Sequence, residues 1–176
     1  MVNGASGPVV VLCGPPGAGK TVVGEALATQ LGLPFHDTDE GVRGRTGRSI
    51  ADIFVEDGEV AFRDLERDEV ARALVEHDGV LAVGGGAVMD PTTENRLRGY
   101  AVVFLDVDLA EAAKRIGFDA TARPLLAVNP RATWRQLMAR RRETYERVST
   151  IRVDTTGRTP EQVAADIAAA LAGATT

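Results

Sequence analysis

Cysteine occurs once, at Cys13, so the chain cannot close an internal disulfide. No apolar run approaches the ~20 residues that a membrane-spanning helix needs. The N-terminal stretch MVNGASGPVVVLCG lacks the basic region of a secretory signal. A cytoplasmic protein without a membrane partner is expected. Excess positive charge is missing too: the formal net charge is -5, which argues against a general binder of phosphate backbones, since nucleic-acid affinity depends on clustered Lys and Arg. No internal repeat or low-complexity linker interrupts the 176 residues, and one core and one domain over 1–176 are expected. Hydrophobic residues at 44% and charged residues at 26% are ordinary globular values, which leaves the class of the protein to its motifs.

Short β-branched runs at 8–14, 34–39, 79–86, 100–107 and 149–156 alternate with helical patterns. That order predicts an α/β fold of three layers, a parallel sheet with right-handed crossovers and helices on both faces. Asp108 with Glu111 opens one helix as a capping box. Thr159-Pro160 with Gln162 opens the last, where Val163, Ile167 and Leu171 recur at four-residue spacing.

The segment GPPGAGKT, 14–21, satisfies G-x-x-x-x-G-K-[ST] between a strand and an amphipathic pattern carrying Val23, Leu27 and Leu31. Its glycines let the backbone curl so that N–H groups converge on an anion at the positive end of the following helix. Lys20 is expected to neutralise the β- and γ-phosphates of a nucleoside triphosphate and Thr21 to ligate the bridging magnesium. A GTPase would need N-K-x-D to read guanine, and none occurs. DTTG at 154–157 imitates a GTPase motif but has only one helix left after it, and is read as coincidence.

A P-loop names a phosphate donor and leaves the acceptor open. Asp37 and Asp39 are expected to close a strand at the carboxyl edge of the sheet, with alternation sending both side chains the same way. Beside a P-loop they suit magnesium and the proton of a nucleophilic hydroxyl; taken alone they would read as a helix-capping pair. At 100° per residue, Trp134, Leu137, Met138, Tyr145 and Val148 fall within one arc of about 100°, and Arg141 falls within it too. Arg142 lies beyond its edge, and Arg135, Arg140 and Arg147 point away. A guanidinium on an apolar stripe requires an anionic partner. The helix starting near Gly58 puts Arg63 and Glu66 on the face of Phe62, Val70, Ala73 and Leu74. Two inward arginines point to a carboxylate-bearing substrate gripped from two sides. Gly84, Gly85 and Gly86 let a substrate approach the backbone. The long stretch 117–133, carrying Arg123, has the length of a functional lid that keeps water from the phosphoryl group. His36 is expected to pack on the opposite strand face, His77 to end a helix, and Cys13 to be a small core residue.

The ordered set GPPGAGKT, DTD, GRSIADIF, FRDLE, GGGAV, RPLL, RRRETY and VDTTGRTP, over about residues 8–172, resembles the shikimate kinase family. The resemblance implies a nucleoside-monophosphate-kinase-like P-loop fold with a five-stranded parallel sheet. It implies a mobile lid at about 113–130 and a substrate-binding helical segment at about 40–75. It further implies transfer of the ATP γ-phosphoryl group to the 3-hydroxyl of shikimate, with Mg2+ as cofactor, ATP and shikimate as partners, and a monomer. Lys20, Asp39 and Arg123 would then be catalytic. Asp39, Arg63, Gly84, Gly85, Gly86 and Arg141 would bind shikimate. Gly17, Ala18, Gly19, Lys20, Thr21, Val22, Arg115, Arg123 and Arg158 would bind ATP, and Thr21 with Asp37, the latter through water, would serve the metal. The family often has R-x-P-L-Y where this chain has Glu143 and Thr144, and its three adjacent arginines leave Arg142 as an alternative to Arg141. A gluconate-type kinase and a P-loop regulator without transferase activity stand as rival readings.

Overall fold

The computed structural model describes residues 7–117 and 129–174. Five parallel strands, β1 (Val10–Cys13), β2 (Phe35–Asp37), β3 (Val80–Ala82), β4 (Val102–Asp106) and β5 (Ile151–Asp154), form one sheet in the order β2-β3-β1-β4-β5. Each strand is shorter than its apolar run because the run's ends leave the sheet. β1, for instance, stops at Cys13, and Gly14 turns into the P-loop. β1 pairs with β3 in the register Val11 to Leu81 and with β4 in the register Val11 to Val102. The chain fills one side of β1 before crossing to the other, so the strand order reverses at β1. In open α/β sheets that reversal opens a crevice at the strands' carboxyl ends.

The helices are α1 (Lys20–Leu31), α2 (Thr38–Thr46), α3 (Ile50–Glu56), α4 (Gly58–Glu76), α5 (Pro91–Arg96), α6 (Leu109–Ile116), α7 (Pro130–Val148) and α8 (Pro160–Gly173), with a 3-10 turn at Ala87–Met89. They flank the sheet. Thr159 and Gln162 form the expected capping box of α8. At α6 only half of the expected box exists: Asp108 accepts from the Glu111 amide at 2.7 Å, while the Glu111 carboxylate accepts from Arg115 Nε at 2.9 Å. A charged partner one turn on outcompetes the backbone amide for that side chain. Leu31, placed with Val23 and Leu27 on the inner face of α1, is 37% exposed because α1 ends there at the left-handed Gly32. Among the described residues, no helix is long and apolar enough to cross a membrane.

Among the described residues, two apolar clusters result. The larger joins all five strands to α1, α4, α7 and α8; the smaller joins Val42, Ile53 and Phe62, with Ile50, Phe54 and Leu65 packed around it, beneath the α2–α4 segment. α4 belongs to both, through Phe62 in the smaller and Val70, Ala73 and Leu74 in the larger. Cys13 is fully buried in β1, and burial pushes its thiol up to about 12. Thiolate is the reactive form. Ellman's reagent should therefore leave the native protein unlabelled at pH 8 and titrate one thiol after unfolding; rapid native labelling would contradict this packing.

Candidate active site

The P-loop rests on fixed backbone. Gly14 has φ +149°, and a Cβ there would sit 2.5 Å from the Leu105 carbonyl oxygen, so β4 admits only glycine at this turn. α1 begins behind Gly19 with no side-chain cap, which leaves its first amides to an anion. Lys20 Nζ donates to the carbonyls of Gly14 at 2.9 Å and Pro15 at 3.2 Å, folded over the loop it serves. Trp134 Nε1 donates to Pro16 O at 2.9 Å and ties α7 to the same loop. Ala18 is fully buried, while Gly17, Gly19, Lys20, Thr21 and Val22 line a cavity of about 660 Å³.

Asp37 ends β2 and caps α2, and its two oxygens have separate tasks. Oδ1 accepts from the Asp39 amide at 2.9 Å, and Oδ2 accepts from Thr21 Oγ1 at 2.8 Å. Asp39 does not belong to the strand, contrary to the sequence expectation; it stands in the first turn of α2. Strand alternation is therefore not what brings the two carboxylates together. The cap at Asp37 folds the chain back into a helix whose first turn faces the same cavity. Capping does not exclude the functional interpretation of this pair, since both residues line the cavity. Asp39 retains some exposed surface but is surrounded by protein on nearly every side, and this burial raises its carboxyl to about 6, with Asp37 and Glu66 adding to the rise and Lys20 and Arg43 opposing it.

Arg63 Nη1 donates to Glu66 Oε2 at 2.6 Å, and both line the cavity. Glu66 is 3% exposed; burial raises its carboxyl above the usual range despite Arg63 and Arg141. Arg141 is 8% exposed and also lines the cavity, so the helical phase is confirmed. Arg142 instead makes a bidentate pair with Asp106, at 2.9 Å to each oxygen, and is no cavity residue. Tyr145, fully buried and stacked on Phe104 at 5.1 Å, donates its hydroxyl to Gly85 O at 2.5 Å and is hydrogen-bonded by Arg141. It fastens α7 to the glycine turn.

Gly84, Gly85 and Gly86 line the cavity with ordinary backbone dihedrals, so a tight turn is not what requires glycine. A Cβ on Gly84 would lie 2.5 Å from Glu66 Oε1 and 2.9 Å from Asp39 Oδ1; one on Gly86 would collide with the Arg63 guanidinium. The close approach is made by the site's own side chains. Gly84 N–H is also spoken for, donating to Thr38 Oγ1 at 3.1 Å. Among the described residues, the amides of Gly85 and Gly86 have no such acceptor.

Arg115 lines the cavity and is held by Thr155 O at 2.5 Å, Thr155 Oγ1 at 2.9 Å and Gly17 O at 3.3 Å. The turn DTTG thus has a structural use unrelated to guanine. Arg158 is not brought into the cavity; it binds Asp154 O and Gln162 O at 3.2 Å and Asp166 at 2.6 Å. Arg123 lies outside the described residues. Sequence reasoning passed over the apolar wall of Ile50, Ala51 and Phe54, and also Arg43, one helical turn beyond Asp39. The i, i+4 spacing from Asp39 was the available signal for Arg43.

Residues 16–172 match the model of a family described as shikimate kinase. The chain belongs to the shikimate kinase family. It is 56% identical to the shikimate kinase of Streptomyces coelicolor over 158 residues, covering 90% of this chain and 92% of that one. The shikimate kinase of Mycobacterium tuberculosis is 51% identical over 157 residues, 89% of each chain. Among solved structures, a shikimate kinase from Acinetobacter baumannii in complex with shikimate superposes with a TM-score of 0.91 at 32% identity, covering 96% of this chain and 94% of that one. A gluconokinase from Sinorhizobium meliloti reaches only 0.58 at 20% identity, which is likeness of fold alone. Membership makes the protein a kinase and disfavours both the gluconate and the regulator readings.

Proposed function

We propose that the cavity joins MgATP to shikimate so that Asp39 receives the proton of the 3-hydroxyl as the γ-phosphoryl group moves onto that oxygen, giving shikimate 3-phosphate and ADP. The carrying observation is one cavity in which the P-loop, Asp39 and two inward arginines meet. Phosphoryl transfer needs in-line placement and charge neutralisation more than covalent chemistry. Arg63, Arg141 and the amides of Gly85 and Gly86 hold the substrate's carboxylate; Asp39 orients the ring hydroxyl. Lys20, and Arg123 from the lid side, offset the negative charge spreading over the transferring group. Gly17, Gly19 and Val22 hold the phosphates, and Arg115 stands over the adenine side. The lid is assigned to about 113–130, of which 113–116 form the last turn of α6. The substrate segment at about 40–75 corresponds to α2, α3 and most of α4. The whole chain works as one kinase domain and one monomer.

Thr21 and Asp37 fit magnesium. They offer a hydroxyl and a carboxylate oxygen 2.8 Å apart at the cavity wall, an all-oxygen pair that leaves the remaining positions to phosphates and water. Held there, magnesium would supply positive charge against the negative charge of the phosphates. Asp37 Oδ1, by accepting from the Asp39 amide, keeps this pair in register with the proton acceptor. An Asp39 carboxyl near 6 is ionised at neutral pH yet basic enough to take a proton in the transition state. In an ADP-release assay with magnesium and ATP, shikimate should drive turnover and gluconate should not. ADP release that ignores shikimate would refute the assignment.

A further inference from the structure

Glu69 on α4 is fully buried, yet the site described above does not use it. It lies in the sequence between Phe62, in the smaller apolar cluster, and Val70, in the larger one. Its carboxylate gathers donors from three elements. His36 Nε2 of β2 lies 2.8 Å from Oε1, Arg45 Nη1 of α2 lies 3.2 Å from Oε2, and Arg72 of α4 itself donates to both oxygens, at 2.6 and 3.1 Å. The helix rests directly on it as well. At Gly41 a Cβ would overlap Oε1, so only glycine lets α2 sit this close.

These contacts bracket the working residues. His36 immediately precedes Asp37, and Gly41 and Arg45 follow Asp39 on α2. We propose that Glu69 is a positioning residue for phosphoryl transfer: one buried carboxylate, holding β2 by His36 and α2 by Arg45, sets the corner that carries Asp37 and Asp39 against the P-loop. The inference rests on the roles assigned to those two aspartates. Burial alone would raise the Glu69 carboxyl, but the hydrogen bonds from Arg72, His36 and Arg45 outweigh it and hold it below the usual range. The anchor is therefore a charge, and its donors differ in reach. Arg45 pulls on the corner; Arg72 pairs with Glu69 and Glu76 within its own helix.

That difference supplies the test. Arg45→Ala should lower kcat severalfold and raise the KM for MgATP by a smaller factor, because the corner carries Asp37, which accepts from Thr21, while Lys20 is held by the P-loop's own carbonyls. Arg72→Ala should lower the melting temperature and leave kcat at the parental value. Glu69→Gln should lower kcat about tenfold or more, since about 1 Å of misplacement can cost about 100-fold. Where Glu69→Gln does not fold, the Arg45 and Arg72 pair decides. Arg45→Ala with parental kcat, or Arg72→Ala with an equal loss of kcat, would overturn the proposal by reducing the cluster to a structural ion pair. An Asp39→Asn protein that still turns over would instead remove the aspartate assignment, whereas an inactive Asp39→Asn beside a fully active Glu69→Gln sinks this inference alone.

Discussion

Asp39→Asn is expected to bring shikimate-dependent turnover to background while MgATP binds nearly as in the parent. The carboxamide keeps the shape of the side chain and can still touch a ring hydroxyl, but it cannot receive a proton. The proposed nucleotide contacts, from the P-loop, the start of α1, Arg115 and Arg123, do not include this residue. Isothermal titration with a non-hydrolysable ATP analogue and a coupled ADP assay separate the two effects; turnover within twofold of the parent would remove Asp39 as proton acceptor.

The same substitution should stabilise the nucleotide-free protein at neutral pH. The folded-state carboxyl is raised from the ordinary 3.8 to about 6, chiefly by burial and then by Asp37 and Glu66. A raised carboxyl binds its proton more tightly in the folded chain than in the unfolded one. Its contribution to stability is therefore full below about 3.8 and is lost as pH rises through about 6. Above that range the ionised group costs about 3 kcal/mol at most, and its residual solvent access lowers this to about 1–2 kcal/mol. Asp39→Asn escapes the cost. Its melting temperature should exceed the parent's at pH 7.5 by roughly 2–4 °C for each kcal/mol, and the advantage should vanish below about pH 4. A gain that is equal at both pH values would locate the effect in packing. Activity gained through a destabilised, ionised carboxylate is a local cost to the fold in exchange for a base of suitable strength.

How far the sequence could be read depended on whether a local pattern controlled the outcome. The five strands were legible because each apolar run is flanked by helix signals, and the P-loop because its spacing leaves few conformations. Helical phase separated Arg141 from Arg142 correctly, since burial along α7 follows the 3.6-residue period without interruption. Asp39 was assigned to the right cavity by the wrong geometry. A single hydrogen bond from its amide to Asp37 ends the strand two residues early, and alternation cannot foresee a cap. The glycine triplet was read as substrate space, whereas Gly84 and Gly86 are small because Glu66, Asp39 and Arg63 lie against them. Those are contacts between residues far apart in sequence, and no local pattern encodes them. The Glu69 cluster stayed hidden for the same reason: His36, Arg45 and Arg72 each look like ordinary surface or strand residues until the fold brings them to one carboxylate.

Arg141→Ala should weaken shikimate binding by roughly 2–5 kcal/mol, a dissociation constant about 30- to 4,000-fold higher, with MgATP affinity little changed. The size follows from where the guanidinium sits. It is 8% exposed on the apolar face of α7, beside Glu66 and the Tyr145 hydroxyl, in the wall of the cavity. A charge so placed has given up most of its water, and a carboxylate ligand restores what the protein alone supplies only in part. Glu66 is already bound to Arg63 at 2.6 Å, which leaves more of the Arg141 charge than of the Arg63 charge for an incoming anion. Arg141→Lys should recover part of the affinity and none of the bidentate geometry, because an ammonium is a point donor. Arg142→Ala is the control from the adjacent position. It removes a bidentate partner of Asp106, so it should lower the melting temperature and leave the shikimate dissociation constant near the parental one. If titration showed parental affinity in Arg141→Ala, or a greater loss in Arg142→Ala, the two-sided grip would have to be rebuilt without the arginine that the helical phase selects.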